Sequence, residues 1–189
     1  FEEVVAYYHL DRAQTRIQAL GFNDVNNRVQ IAVVNDGNQD NSFYSSGNQQ
    51  LSFGAGGVDD AEDGDIVLHE YGHSIQDNQV PGFGKTNEGG AMGEGFGDYL
   101  AFSMSPISQT GAYFACIAEW DATSYASGNP PCLRRLPAPL PIPPHRIGAS
   151  LPPPRAAAPV PTEPRTAAPA TRAAVWIAPQ RAAPAPAVH

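Results

Sequence analysis

Two histidines four positions apart, with a glutamate directly after the first, are the residues of this chain whose types and spacing can do chemistry: His69-Glu70-Tyr71-Gly72-His73. On a helix, positions i and i+4 lie one turn apart on the same face, so both imidazoles can reach one ion. Glu70 is rotated by about 100° from His69 on a helix of 3.6 residues per turn, which sets its carboxylate beside the ion rather than on it. That is where a general base for a metal-activated water belongs. A catalytic zinc takes three protein ligands and keeps a fourth position for water, so one further ligand has to come from elsewhere in the chain.

The elements around the motif can be read from periodicity and punctuation. Ile66 to Ile75 is an apolar helical run opened by Asp63 and Asp65, acids that suit a helix N-terminus. After a loop from Asn78 to Gly89, a second helix is expected to open near Gly90 and to carry the acidic pair Glu94 and Asp98, one turn apart. Upstream, Val4, Val5, Tyr8, Ala13 and Ile17 recur at mostly helical intervals, and Gly21 follows where a helix would stop. Val29–Val34, Ser42–Ser46 and Gln50–Phe53 read as three short strands, together a small antiparallel meander.

Composition divides the chain. Residues 1–132 hold 18 of the 19 acidic residues and four of the 11 basic ones, a formal balance of −14; residues 133–189 carry +6. An acidic folded part excludes nucleic acid and an anionic membrane surface as partners, since both require a basic patch. No apolar run approaches the roughly 20 residues that span a bilayer. Residues 137–189 contain 15 Pro and 15 Ala among 53 positions, too little apolar side chain to offset the entropy of ordering. They are expected to be disordered and to contribute nothing to the fold; a natural linker and a shifted reading frame both account for such composition. The domain expectation is therefore a folded part over 1–132 and a Pro/Ala/Arg-rich tail over 133–189. Cys116 and Cys132 either pair, as suits an exported protein, or remain two thiols.

HEYGHS (69–74) followed by GAMGEGFGDYLA (90–101) resembles the fungalysin group of thermolysin-like zinc peptidases. Metzincins are excluded, because Gln76 and Gln79 stand where that class has its glycine and third histidine. The resemblance implies an α+β fold: the N-terminal zincin domain of a thermolysin-like enzyme, with a small antiparallel sheet and the active-site helix, and with the helical C-terminal subdomain missing. It implies a secreted, monomeric endopeptidase acting on a polypeptide, with Zn2+ held by His69, His73 and Glu94. Glu70 would be the base and Asp98 the partner of a ligating histidine. Asn41 and Ser42, at the start of an Asn-x-aromatic edge strand, would contact the peptide backbone. The acids Asp59, Asp60, Glu62, Asp63 and Asp65 would either bind Ca2+, frequent in such enzymes, or simply favour the start of the helix. The same resemblance expects an oxyanion-stabilising histidine from the missing subdomain, which leaves a truncated, inactive zinc-binding remnant as the alternative function.

Overall fold

The chain opens with helix α1, Glu2–Ala19. The stripe that it buries is Ala6, Leu10 and Ala13, at intervals of four and three. Ala13 is buried and Ile17 packs on the core where periodicity places them, whereas the larger Val4 and Tyr8 face outward and Ala6 and Leu10 take the inner face in their stead. The computed structural model describes residues 1–136 and the strand 173–177; the other residues of the Pro/Ala segment, and the expectation that they are disordered, lie outside the described residues.

Strands β1 (Gln30–Val34), β2 (Ser42–Ser45) and β3 (Gln50–Phe53) form, but not the expected meander. In the sheet β1 runs parallel to β3 and β2 lies antiparallel on the outside of β3. After β1 the chain runs past the end of β3, held by Asp36 N–H to the Phe53 carbonyl (2.8 Å) and Ala55 N–H to the Gly37 carbonyl (3.0 Å). β2 then returns along the free side of β3. Strand periodicity sets which side chains face inward, whereas the choice of neighbour is a long-range pairing that it does not encode. The fourth strand, β6, is Ala173–Ile177, antiparallel to β1 from Gln30↔Ile177 to Val34↔Ala173. It lies in the segment expected to stay outside the fold, and this is a correction: a Pro-free apolar stretch within that segment supplies an edge strand.

Helices α2 (Gly64–Gln79) and α3 (Asn87–Met104) complete the α+β architecture. Asp63 caps α2 by accepting from Asp65 N–H, and Thr86 caps α3 by accepting from Gly89 N–H, so α3 starts about a turn earlier than Gly90. Val67, Leu68, Tyr71 and Ile75 of α2 share one core with Leu51 and Phe53 of β3 and with Leu10 of α1. Each such side chain contributes roughly 1.5–3 kcal/mol on leaving water. Polar pins fix the register of α2: Tyr71 donates to Gln14 Oε1 (2.6 Å) and Ser74 to Gln30 Oε1 (2.6 Å).

Beyond α3, Cys116 and Cys132 form a disulfide, which resolves the choice that the sequence leaves open. Next to it the two-residue strands β4 (Cys116–Ile117) and β5 (Arg134–Arg135) pair antiparallel, and Leu136 packs on the core. The folded part therefore continues past 132 to Leu136, and the strand Ala173–Ile177 belongs to its sheet. Pro137–Pro169 lies outside the described residues. The basic character of Arg134 and Arg135 matches the tail in composition, while their backbone belongs to the fold.

Candidate metal centre

Helix α2 projects His69 and His73 towards α3, and α3 answers with Glu94. The Nε2 atoms of the two histidines stand 3.2 Å apart; Glu94 Oε2 lies 3.2 Å from His69 Nε2 and Oε1 lies 3.4 Å from His73 Nε2. Zinc bonded at about 2.0–2.2 Å to tetrahedral nitrogen and oxygen ligands separates those atoms by about 3.3–3.6 Å. With Glu94 reaching each imidazole through a different oxygen, the three groups stand at close to that spacing, and one ligand atom from each lies within 4.8 Å of the others, which suits a metal ion held by two imidazoles and a carboxylate. The Glu94 corner of this triangle is exposed, which leaves the fourth direction open to the cleft.

Asp98, one turn after Glu94, sits behind the triangle. His69 Nδ1 donates to Asp98 Oδ1 at 2.9 Å, while Arg134 grips both carboxylate oxygens, Nε to Oδ2 and Nη2 to Oδ1, each at 2.8 Å. Burial pushes the Asp98 carboxyl up, and the hydrogen bonds and charges of His69 and Arg134 outweigh it, leaving the group below its usual range. An ionised Asp98 keeps the proton of His69 on Nδ1 and leaves Nε2 bare, facing His73 and Glu94. Burial works to lower the His69 pKa, but the bond to Asp98 and the charges of Glu70, Asp98 and Glu94 raise it overall. His73 is lowered, by burial and then by the charge of His69.

The two helices come this close because their contact is made of glycine. A Cβ on Gly72 would meet Gly97 Cα at 2.9 Å, and a Cβ on Gly97 would stand 2.7 Å from His69 Nδ1. The spacing Gly93-Glu94 and Gly97-Asp98 thus alternates a backbone that must touch α2 with a carboxylate that must reach over it.

Glu70 is buried beside the triangle and lines the same cleft, of about 730 Å³, as His69, His73, Glu94 and Arg134. Burial raises its pKa to about 7; the His69 charge and a hydrogen bond from the Tyr44 backbone oppose this, and Glu94 adds to it. Along one wall runs β2, the sheet's outer strand on this side, with Asn41 just before it. Asn41 and Ser42 both line the cleft, but the Ser42 hydroxyl is turned to Asp60 Oδ2 at 2.6 Å, so towards a peptide Ser42 presents backbone.

The acids at 59–65 do not converge: among the described residues no three of them bring their oxygens together. Asp63 Oδ2 accepts from Trp120 and Asp121 N–H (3.1 and 3.0 Å), and Asp65 Oδ2 accepts from Ala118 N–H and the Ser108 hydroxyl (3.2 and 3.1 Å). Both are raised to about 6, chiefly by burial. Asp63 and Asp65 thereby hold the 118–121 segment against the start of α2. Sequence reasoning also missed Arg134, hidden by its basic neighbours, although its place two residues after a cysteine was a signal that the chain was still anchored there.

Comparison of the chain with protein-family models, with curated proteins and with solved structures finds no match.

Proposed function

We propose that this chain is a zinc-dependent endopeptidase of the thermolysin-like, fungalysin-type class, exported from the cell and acting on extended polypeptide. The observation that carries the reading is the triangle His69–His73–Glu94, spaced to suit a metal ion, with the buried carboxyl of Glu70 beside it and all four residues on one cleft. When bound there, zinc supplies a Lewis acid that acidifies water and polarises a peptide carbonyl. The chain's own residues do the rest. Glu70, with a pKa near neutrality, takes a proton from the attacking water and returns it to the leaving amine. Asp98, clamped by Arg134, holds His69 in one tautomer and one orientation. The open side of β2 offers backbone groups to which a peptide can add as a further strand, with Asn41 at its entry.

A second reading has its own support: among the described residues lining the cleft the only histidines are His69 and His73, so no separate histidine stands ready for an oxyanion. Loss of one such donor costs about 10²–10³ in turnover, and a zinc-binding remnant without activity is the outcome if nothing replaces it. The test is zinc content and casein hydrolysis for wild type and Glu70→Gln. Hydrolysis that vanishes in Glu70→Gln, with zinc retained, supports the peptidase. Stoichiometric zinc without hydrolysis in wild type supports the remnant, and absence of zinc in wild type refutes both.

A further inference from the structure

The disulfide Cys116–Cys132 is no part of the metal centre, yet its second sulfur stands two residues before Arg134, the side chain that grips Asp98. The two ends of that bond are anchored unequally. Cys116 belongs to the core: it and its neighbours Ala115, Ile117 and Ala118 are buried, Ala115 N–H donates to the Ser108 carbonyl (2.8 Å), and Ala118 N–H donates to Asp65 Oδ2 (3.2 Å). The chain that returns to Cys132 has no comparable hold. Residues 123–129 are exposed but for a half-buried Ala126, Cys132 and Arg134 are half-buried, and Leu133 and Arg135 are exposed.

On the backbone side Arg134 is kept in place by the short pairing of β4 with β5, through Leu133 N–H to the Ile117 carbonyl (3.0 Å) and Leu136 N–H to the Ala115 carbonyl (2.8 Å). The exposed Arg135 side chain adds bonds to the Ala112 and Phe114 carbonyls (3.4 and 3.2 Å). A two-stranded pairing of this size is marginal in water by itself. The covalent bond withholds from the returning segment most of the freedom that it would gain on opening, which makes it the chief tie between the core and the guanidinium. That guanidinium acts on the metal position through one carboxylate. It gives Asp98 two charge-assisted bonds, and its Nη2 comes within 3.3 Å of His69 Nδ1. With Arg134 gone, the Asp98 carboxylate is free to turn and the imidazole loses its fixed acceptor.

The bond is also placed where it can be broken. Cys116 is fully buried, whereas Cys132 is half-buried and Arg135 Nη2 stands 3.2 Å from its Sγ. An incoming thiolate is drawn by that guanidinium to the sulfur it can reach. It bonds to Cys132 Sγ as the S–S bond breaks, and Cys116 leaves as a thiolate that takes up a proton. A second thiol of the reductant then displaces Cys132 from the mixed disulfide. The chain has gained two electrons and two protons, and the reductant departs as its own disulfide.

We propose that the Cys116–Cys132 disulfide is a redox switch on the metal centre. Closed, it holds Arg134 on Asp98 and thereby His69 in its metal-binding orientation; opened by a small thiol reductant, it frees Arg134 and loosens the metal. A chain kept in reducing surroundings holds its metal weakly, and oxidation tightens the site. The switch presupposes the metal centre of the proposed peptidase, though not its activity.

The test measures the zinc affinity of the full chain by competition with a chromophoric chelator, oxidised and again after reduction with dithiothreitol and its removal under argon. Circular dichroism checks that both states are folded. Reduction should weaken zinc binding by about 10–100-fold, and reoxidation with oxidised glutathione should restore it. The double variant Cys116→Ser, Cys132→Ser should match the reduced chain, which shows that free thiols are not the cause. Arg134→Gln separates the switch from general loosening: with its disulfide intact it should already bind as weakly as the reduced wild type, and its reduction should add little. In the metal-free chain the 15N shifts of the His69 ring should report one tautomer when oxidised and a mixture when reduced. Oxidised wild type that takes up no zinc refutes the metal centre and the switch with it, whereas equal affinity in the two states refutes the switch alone. Reduction that weakens Arg134→Gln as much as wild type, or that unfolds the chain, also overturns the proposal, because the bond would then act through the whole fold.

Discussion

Gly97→Ala adds a single methyl group at the contact between α2 and α3, and its consequences can be worked out from the distances. The new Cβ would stand 2.7 Å from His69 Nδ1 and 2.9 Å from Cε1 and Cγ of the same ring, where ordinary contact is 3.4–4 Å. The ring or the helix must therefore give by about 0.7 Å. The ring is not free to do so, being buried and tied to Asp98 at 2.9 Å. A zinc ligand set tolerates about 0.2 Å, so either the triangle opens or the bond to Asp98 breaks. Loss of such an orienting partner costs about 10–100-fold in metal affinity, and overpacking itself costs about 1–3 kcal/mol. Gly95→Ala is the control on the same helix. Nothing lies within 4 Å of a Cβ there and the position is exposed, so the methyl should stabilise the helix by about 0.5–1 kcal/mol. Zinc competition against a chromophoric chelator and melting of the metal-free chain read both effects. Gly97→Ala should bind zinc at least about tenfold more weakly and melt lower; Gly95→Ala should bind as wild type and melt higher. Equal zinc affinity in Gly97→Ala and wild type would refute the reasoning that the glycine contact sets the geometry of the metal centre.

Truncation after Leu136 removes β6 and leaves β1 with an open edge, so the shortened chain should melt lower and aggregate more readily in light scattering. An unchanged midpoint would remove β6 from the fold. The pH dependence of the metal-free chain should carry the mark of Asp60, whose pKa is raised from 3.8 to about 7 by burial, with Asp121 and Asp40 adding and the Ser42 hydrogen bond opposing. A raised carboxyl contributes stability that is fully present below pH 3.8 and is lost as pH rises through about 7. Asp60→Asn, neutral throughout, should therefore be more stable than wild type at pH 8 in chelator, with the difference closing towards pH 4. Parallel stability curves for the two proteins in urea would contradict this.

Much of the chemistry is local in sequence. His69, Glu70 and His73 owe their relation to the helix repeat, and the strand β3 and both functional helices stand within a turn of where periodicity and capping residues put them. The site's other half is legible only in part. Glu94 and Asp98 are visible as an acidic pair on a helix, but nothing in their spacing states that Gly72 and Gly97 bring that helix within reach of the imidazoles. Arg134 was concealed by composition: it stands at the head of a Pro/Ala/Arg-rich segment, and only the disulfide and the β4–β5 pairing return it to Asp98. The same averaging hid Ala173–Ile177, a short apolar run diluted by the prolines around it.

By itself, then, the sequence determined what repeats within a few residues: helix phase, caps, strand alternation, and the placing of two histidines one turn apart with a glutamate beside the first. Tertiary structure alone decided which elements became neighbours: the parallel pairing of β1 and β3, the turn of α1 onto Ala6 and Leu10, the clamp of Arg134 on Asp98, and the gathering of Asp40, Asp60 and Asp121. The reason is the range of the forces involved. Backbone hydrogen bonding and side-chain periodicity act over one turn or one strand and leave a trace in spacing, whereas packing and the burial of charge depend on distances between segments far apart in the chain, which spacing does not record.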